Sequence, residues 1–379
     1  MALLPRELEE EILSRLPPQS LLQLISVCKR WNVLLSEKSF IKNHFARARP
    51  HFIFLSNSNI YSIEIIGLDG ADSTIKLHEL SSSGIPYREL NFNDFTISSC
   101  DGFLFCNSGI FPKGTAIWNP WLRQVKWVEH KDKGFWPCGV GYDNTRPEKV
   151  YKILGYILCP HHERAVIYDC ASHTFKFIDT PDEDRPLTHV KRYGVPLNGN
   201  LYWLRFTLDG TGDIFIGCFD FSREILKPLC LAPCQIFDTF NINHLVLQAF
   251  NENRLSLLKR CNKTRNVEIW VTKKKIDASN NSEDEKVVWI NLLTLPPTNF
   301  PDLSNKDFGV NYFLYDKTTL IMCCGDNETG WLCIYIFRAD LFKKFQIDLG
   351  FNRCCHCVYA PNFIPIPLEF GSTDFITFC

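Results

Sequence analysis

A strand-like segment with an aromatic residue recurs at a nearly constant interval, and this repeat constrains the fold more than any other feature. The aromatic residues Trp118, Tyr168, Phe219 and Trp270 are separated by 50, 51 and 51 residues. In the first three copies, an Asn or Asp follows within a residue. After about residue 50, short β-branched and aromatic runs alternate with Gly, Asn, Asp and Pro turn signals, which predicts an all-β region.

The interval is the length of one four-stranded blade of a kelch-like β-propeller, about 50 residues. One such sheet cannot bury both of its faces, so neighbouring blades must stack around a central axis. Weaker copies of the motif at Tyr61 and Tyr335 bring the expected number of blades to six.

The N-terminal residues follow a helical period instead. Leu8, Ile12 and Leu16 line one face of a first helix, and acidic residues cover the opposite face. A Pro-Pro pair is expected to end this helix, Ser20 to cap a second one, and Phe40 to belong to a short third one.

Two domains are therefore predicted, a helical module at residues 1–48 and a β domain at residues 49–379. The fold class is α+β multidomain, with a small all-α module before an all-β kelch-like propeller. A helical unit of this size buries little core of its own, so we expect part of its apolar face to have a partner, either the rest of this chain or another protein.

Charge and composition narrow the range of partners. The chain has 41 Lys+Arg against 42 Asp+Glu, so no global field attracts nucleic acid or an acidic membrane. The N-terminus turns acidic before any apolar run of signal-peptide length, and no run of about 18 uncharged apolar residues occurs. We expect an intracellular protein of the cytoplasm, the nucleus or both, without a nucleic-acid or membrane partner.

The cysteine spacing is only weak evidence for a metal site. The 17 Cys are an odd number without a secretory signal, which predicts reduced thiols. Residues 354–357 contain a Cys-x-x-Cys spacing, and Cys323 and Cys324 lie upstream. Adjacent cysteines on a strand point to opposite faces and converge poorly on zinc. We therefore expect no metal and no cofactor.

No local motif of an enzyme is present. The chain lacks a Gly-x-Ser-x-Gly elbow, a Gly-x-x-x-x-Gly-Lys phosphate loop and a His-Glu-x-x-His zinc motif. A catalytic triad dispersed along the chain stays open. The expectation is a non-catalytic protein with no catalytic residues.

The N-terminal module closely resembles the F-box motif. The resemblance is carried, in order, by Leu4, Pro5, Leu8, Glu11, Ile12, Leu13, Ser14, Arg15, Leu16, Pro17, Ser20, Leu21, Leu22, residues 27–31 and Phe40. It implies docking onto a Skp-family adaptor of an SCF-type cullin-RING ubiquitin ligase. The adaptor-binding residues that it implies are Leu4, Pro5, Leu8, Ile12, Leu13, Leu16, Pro17, Leu21 and Leu22.

The β domain resembles the F-box-associated domain of a large plant family. The residues that carry this resemblance are residues 99–104, 118–120, 141–143, 151–153, 168–169, 194–203, 219–221 and 269–271. It implies a domain that recruits proteins for ubiquitination.

Candidate substrate residues lie in loops that stand out by composition. A propeller builds its ligand surface from loops at one end of its axis, where exposed aromatic and Arg side chains make good anchors. The loops at residues 129–137, 159–164 and 180–192 are the candidates. The residues expected to contact substrate are Phe135, Trp136, His161, His162 and Arg164.

Three functions remain open. The first is the substrate-recognition subunit of an SCF-type ubiquitin ligase, which binds a Skp adaptor, and through it the cullin-RING ligase, and recruits an unknown protein substrate. The second is an adaptor-binding scaffold that works outside a ligase. The third is a propeller enzyme with a helical appendage.

Overall fold

The computed structural model describes most of the chain. The described residues are 4–16, 18–56, 59–68, 73–80, 96–107, 114–130, 134–146, 148–158, 163–178, 194–206, 211–238, 244–251, 253–276, 287–301, 303, 309–339, 341–348, 355–362 and 364–367. They form four short helices followed by strands, as the change of period predicts.

The helical module consists of α1 (Arg6–Leu13), α2 (Pro18–Ile25), α3 (Lys29–Leu35) and α4 (Lys38–Arg47). Pro18 opens α2 because its fixed φ and missing N–H suit the first turn of a helix. Ser20 therefore lies inside α2, and its predicted capping role is wrong. The predicted third helix around Phe40 is α4, because the chain breaks between α2 and α3.

The described strands form six antiparallel sheets of four strands each, which confirms the six-bladed propeller. Blade 1 contains β1 (His51–Ser56), β2 (Asn59–Ile66), β3 (Thr74–Leu80) and β24 (Cys355–Tyr359). Blade 2 contains β4 (Thr96–Cys100), β5 (Phe103–Asn107), β6 (Gly114–Asn119) and β7 (Gln124–Glu129). Blade 3 contains β8 (Phe135–Tyr142), β9 (Tyr151–Leu158), β10 (Glu163–Asp169) and β11 (Thr174–Phe177).

The other three blades follow the same order. Blade 4 contains β12 (Val195–Leu197), β13 (Asn200–Phe206), β14 (Asp213–Asp220) and β15 (Ile225–Gln235). Blade 5 contains β16 (Leu245–Phe250), β17 (Arg254–Arg260), β18 (Val267–Thr272) and β19 (Trp289–Leu295). Blade 6 contains β20 (Asn311–Leu314), β21 (Leu320–Gly325), β22 (Leu332–Arg338) and β23 (Leu341–Ile347).

The ring closes through strands from the two ends of the propeller sequence. The strands β24, β4, β8, β12, β16 and β20 contact one another around the axis and are the inner strands. In blade 1 the inner strand β24 pairs antiparallel with β1, with His51 opposite Tyr359. This pairing joins residues that are far apart in the sequence and locks the ring.

The aromatic repeat marks the third strand of every blade. Its six copies lie in β2, β6, β10, β14, β18 and β22. The apolar core is divided into six clusters, one between each pair of neighbouring blades. Each sheet thus buries its two faces against its neighbours, as the repeat predicts.

A polar residue closes the turn after the third strand in three blades. Asn119 Oδ1 accepts hydrogen bonds from the backbone N–H groups of the residues two and three positions later. Asp169 and Asp220 do the same. Four positions after each of them, the backbone adopts a positive φ of 54° to 58°. The turn residues of the repeat are therefore structural.

The helical module lies against one end of the propeller, which we call the helix end. Leu122, in the turn between β6 and β7, packs on the helical core. The Arg49 guanidinium lies 5.2 Å from the ring centre of Tyr315, just after β20. The opposite end, where β7, β9 and β11 end, is the loop end. The candidate substrate loops begin there.

Two buried histidines and one half-buried histidine predict that the protein loses stability in mild acid. Burial lowers the pKa of His51, His130 and His356 to about 4 from an ordinary 6.5. Between these values the unfolded chain binds more protons than the folded one. Stability is therefore fully present above about pH 6.5 and falls as the pH drops toward about 4.

We expect a lower urea midpoint at pH 5 than at pH 7, measured by tryptophan fluorescence. His356 accepts a hydrogen bond from the Asn311 amide through Nδ1 and donates one to the Gly309 carbonyl through Nε2, both within 3.0 Å, so the folded protein holds it neutral. His356→Gln should reduce the difference between the two midpoints, because glutamine does not bind a proton in this pH range. The same midpoint at both pH values would contradict this prediction.

Candidate docking sites

Helix α1 presents an apolar stripe to solvent. Leu4, Leu8 and Ile12 follow one another at intervals of four residues and are 51%, 51% and 52% exposed. Leu8 and Ile12 are four residues apart and lie on the same face of α1, and Leu4 lies just before the helix. We call these three side chains the α1 stripe.

The charged residues of α1 hold the opposite faces against the other helices. The Glu9 carboxylate is 3.0 Å from the Arg30 guanidinium of α3, and Arg30 also donates to the Leu4 carbonyl at 3.0 Å. Arg6 pairs with Glu37 before α4 at 2.5 Å. These bonds orient α1 so that Leu8 and Ile12 point outward.

A further ion pair joins the middle of α1 to α4. Arg47 donates to Glu11 at 2.9 Å, and Arg15 contacts the same carboxylate at 2.6 Å. Hydrogen bonds from Arg15 and Arg47 lower the pKa of Glu11. Both pairs are exposed, so water screens them and their contribution to stability is small. Together they favour one rotation of α1, with its polar side on the module and the α1 stripe in water.

Two of the implied adaptor residues lie in the core of the module instead. Leu13 is 3% exposed and Leu21 is not exposed at all, and both pack with Leu34, Leu35 and Phe40. The reason for Leu13 is geometric, because each helical residue is rotated by about 100° from the one before it. We therefore assign Leu13 and Leu21 to folding.

The remaining implied residues differ in their exposure. Pro5 is exposed and precedes α1, where its carbonyl accepts from the backbone N–H groups of Leu8 and Glu9. Leu16 and Leu22 are half-buried against the helical core. Pro17 lies outside the described residues.

Two exposed aliphatic residues of the module are not among the implied adaptor-binding residues. Val27 and Val33 are the most exposed large aliphatic side chains in the described part of the module. Val27 follows α2, where the chain turns into α3, and Val33 lies on the solvent side of α3. A single helical period across residues 20–35 does not predict their exposure, because α2 ends at Ile25 and α3 begins at Lys29.

At the loop end, the prediction for Phe135 as a contact residue is corrected. Phe135 has no exposed surface and packs between His130 and Phe175, with ring centres 4.9 and 5.2 Å away. It is the first residue of β8, and the alternation of the strand turns it into the core between blades 2 and 3. It therefore belongs to the propeller core.

Trp136 and Arg164 have surface that a partner can reach. Trp136 is half-buried and stacks on Tyr156, with ring centres 6.2 Å apart. Arg164 is exposed and lies 4.1 Å from the ring centre of Phe177, which is itself exposed. His161, His162 and the loop at residues 180–192 lie outside the described residues.

The cysteines in the described part of the chain are all free thiols. Cys323, Cys324 and Cys357 are buried in strands, and burial raises the pKa of Cys324 and Cys357. No group of three or more His, Cys, Asp or Glu side chains among the described residues is arranged to hold a metal ion. Cys354 lies outside those residues.

Two protein-family models match the two parts of the chain. A model described as F-box-like matches residues 1–47, and a model described as an F-box associated beta propeller domain matches residues 51–366. The chain belongs to the F-box proteins with an F-box-associated propeller.

Plant relatives match this F-box protein along nearly its whole length. A putative F-box/LRR-repeat protein of Arabidopsis thaliana is 59% identical over 375 residues, which cover 97% of this chain and 100% of the relative. The Arabidopsis Protein SUPPRESSOR OF NIM1 1 is 49% identical with the same coverage. An Arabidopsis F-box protein is 50% identical over 380 residues, covering 97% of this chain and 98% of the relative. In the described residues of this F-box protein, no helix is long and apolar enough to cross a membrane.

Proposed function

We propose that this F-box protein is the substrate receptor of an SCF-type ubiquitin ligase. Its α1 stripe docks on a Skp-family adaptor, and its propeller binds a protein that is to be ubiquitinated. The bond chemistry takes place elsewhere in the assembly, and the receptor contributes a high local concentration of substrate.

The orientation of α1 is the observation that supports this proposal most directly. Exposed apolar surface costs about 25 cal/mol for each Å² left in water. Here that surface consists of Leu8 and Ile12 on one face of α1, with Leu4 just before the helix, and the charged residues of α1 pair with Arg30, Glu37 and Arg47. A partner that covers the α1 stripe removes this cost, and the F-box family gives the class of partner.

The two ends of the propeller support a division of labour. The helical module contacts turns at the helix end, whereas Trp136 and Arg164 lie on strands that end or begin at the loop end. An adaptor at one end leaves the other end open to a client. Trp136 and Arg164 remain our candidate client contacts, and His161 and His162 are carried over from the sequence.

The direct test reconstitutes the assembly from purified components. The full-length chain, a plant Skp adaptor and a plant cullin-RING core are mixed and separated by size-exclusion chromatography. We expect one complex that contains all three. Failure of the chain to bind any Skp adaptor contradicts the proposal.

The same experiment separates a receptor from a scaffold. An adaptor-bound chain that excludes cullin would favour a scaffold outside a ligase. A complex with cullin, together with a client that accumulates in plants without this protein, favours the receptor. Turnover across a substrate panel by the isolated chain would favour an enzyme instead.

A further inference from the structure

The turns after β6, β10 and β14 share an unfavourable backbone position. Four residues after the Asn or Asp that closes each turn, Arg123, His173 and Glu224 adopt a positive φ of 54° to 58°. This left-handed region is unfavourable for most residues with a Cβ, and glycine is the usual residue there. A large side chain at this position therefore points to a role for that side chain.

Two of the three side chains have such a role within the propeller. His173 Nδ1 lies 2.9 Å from the Tyr168 hydroxyl of the same blade. The Glu224 carboxylate accepts from the Lys152 ammonium of blade 3 at 2.6 Å. Arg123 is exposed, and its side chain has no hydrogen bond, ion pair or ring contact with the described residues. The free chain thus gives no reason for an arginine at this position.

Arg123 lies beside the helical module on a rigid turn. Its neighbour Leu122 packs on the helical core, and Trp121 is 9% exposed in the core between blades 1 and 2. Asn119 closes the turn and also donates to Asn362 at 2.9 Å. The backbone of Arg123 is therefore fixed relative to the module before any partner binds, which lowers the entropy cost of a contact.

The arginines of the helical module and of the residues that lead into β1 already have partners. The pairs are Arg6 with Glu37, Arg15 and Arg47 with Glu11, Arg30 with Glu9, and Arg49 with the Tyr315 ring. Beside this set, the guanidinium of Arg123 is available for a carboxylate of another protein, which it can bind through two parallel hydrogen bonds.

The α1 stripe is too small to be a whole docking surface. It has three side chains, whereas a stable interface involves about 20–30 residues and about 800 Å² on each partner. A surface of that area is roughly 30 Å across, but α1, with eight residues, is only about 12 Å long. A partner that covers the α1 stripe must therefore contact residues beyond α1, and a residue beside the module is within its reach.

We propose that Arg123 is a contact of the propeller with the Skp-family adaptor, and that it forms an ion pair with a carboxylate at the rim of the adaptor interface. The α1 stripe supplies the apolar part of that interface, and Arg123 supplies charge complementarity. The side chain then acts in the complex and not in the free chain, which explains an arginine at a position that favours glycine. This inference rests on the proposed receptor function.

The test measures adaptor binding by the full-length protein, by isothermal titration at about 50 mM and about 300 mM NaCl. Arg123→Glu replaces attraction by repulsion, and we expect its Kd to be about tenfold higher than that of the wild type at the lower salt concentration. The difference should fall to about threefold or less at the higher one, because salt screens a charge pair at the rim. Arg123→Lys keeps the charge and should bind within about threefold of the wild type.

Arg223→Glu is the matched control. Arg223 is exposed in the equivalent turn of blade 4, and its side chain likewise has no partner in the described part of the chain. We expect the Kd of this variant to stay within about twofold of the wild type, because the ion pair requires a position beside the module.

Arg123→Gly separates binding from folding. Glycine adopts a φ of 54° without strain, so the urea midpoint should not fall. The Kd for the adaptor should nevertheless rise about fivefold, because the ion pair is lost. An arginine that served the fold would give the opposite pattern, with a lower midpoint and an unchanged Kd.

Each outcome bears on the proposal. Equal Kd values for Arg123→Glu and Arg223→Glu overturn it, because the effect is then either absent or due to the overall charge. A lower urea midpoint of Arg123→Gly overturns it too, since the side chain then stabilises the free chain. A wild type that binds no adaptor refutes the receptor function together with this contact, and the wild-type titration alone identifies that case.

Discussion

The double variant Leu8→Asp/Ile12→Asp is expected to lose binding to a Skp-family adaptor. Each substitution removes about 1.5–3 kcal/mol of apolar burial in the complex. Each also places a carboxylate in an apolar interface, where an unpaired charge costs several kcal/mol more. A total loss above about 4 kcal/mol lowers the affinity by about a thousandfold or more.

The variant should still fold, because both side chains are exposed in the free protein. The matched control is Ile66→Asp/Leu77→Asp, two similarly exposed aliphatic residues on blade 1. Isothermal titration of both proteins with the adaptor measures the difference. Full adaptor binding by the α1 variant would show that the α1 stripe is not the docking face.

The variant Asn362→Ala is expected to destabilise the fold strongly. Asn362 is fully buried in the segment after β24, which runs back over blade 2 at the helix end. Its Nδ2 donates to the Asp101 carbonyl at 2.7 Å. Its Oδ1 accepts from Asn119 Nδ2 and from its near neighbour Ile364 N–H, both at 2.9 Å.

Removing this amide leaves buried polar groups without partners, each at a cost of about 1–3 kcal/mol. We expect Asn362→Ala to lower the free energy of unfolding by about 3 kcal/mol in urea titration, whereas exposed Asn32→Ala should change it by less than about 0.5 kcal/mol. Asn119 bonds to Asn362 through its Nδ2 and closes the β6–β7 turn through its Oδ1. Loss of the Asn362 partner should therefore also weaken this turn, whose Leu122 packs on the helical core. Equal stability of the two variants would contradict this prediction.

Gly102 provides a cross-check on the same contact. Its φ is +77°, and a Cβ there would lie 1.8 Å from Asn362 Nδ2. Gly102→Ala should therefore be destabilising alone, through both strain and the clash. Asn362→Ala removes the two closest of the clashing atoms, Nδ2 and Cγ, and leaves a tight contact with Cβ at 3.0 Å. The double variant Gly102→Ala/Asn362→Ala should therefore lose less stability than the sum of the two single variants. Strict additivity would place the cost of Gly102→Ala in backbone strain alone.

The sequence predicts the repeating architecture of the β domain better than it predicts which side chains are exposed. The repeat at Trp118, Tyr168 and Phe219 predicts six blades because each copy repeats one supersecondary unit, and the structure confirms them. The prediction for Phe135 is wrong because composition shows that an aromatic residue is near a loop but not which side of the strand it occupies. Trp136, one residue later, retains reachable surface for the same reason of alternation.

The sequence by itself determined the division into a helical part and a repetitive β part and the turn residues, because these depend on side-chain patterns within a few residues, and the blade count, because it follows from a repeat along the chain. Only the tertiary structure decided which residues of α1 face outward, since ion pairs from Arg30, Glu37 and Arg47 set its rotation. It also decided the ring closure by β24 and the bond between Asn119 and Asn362, which are 243 residues apart. Such contacts arise from packing between distant segments, and no local period encodes them.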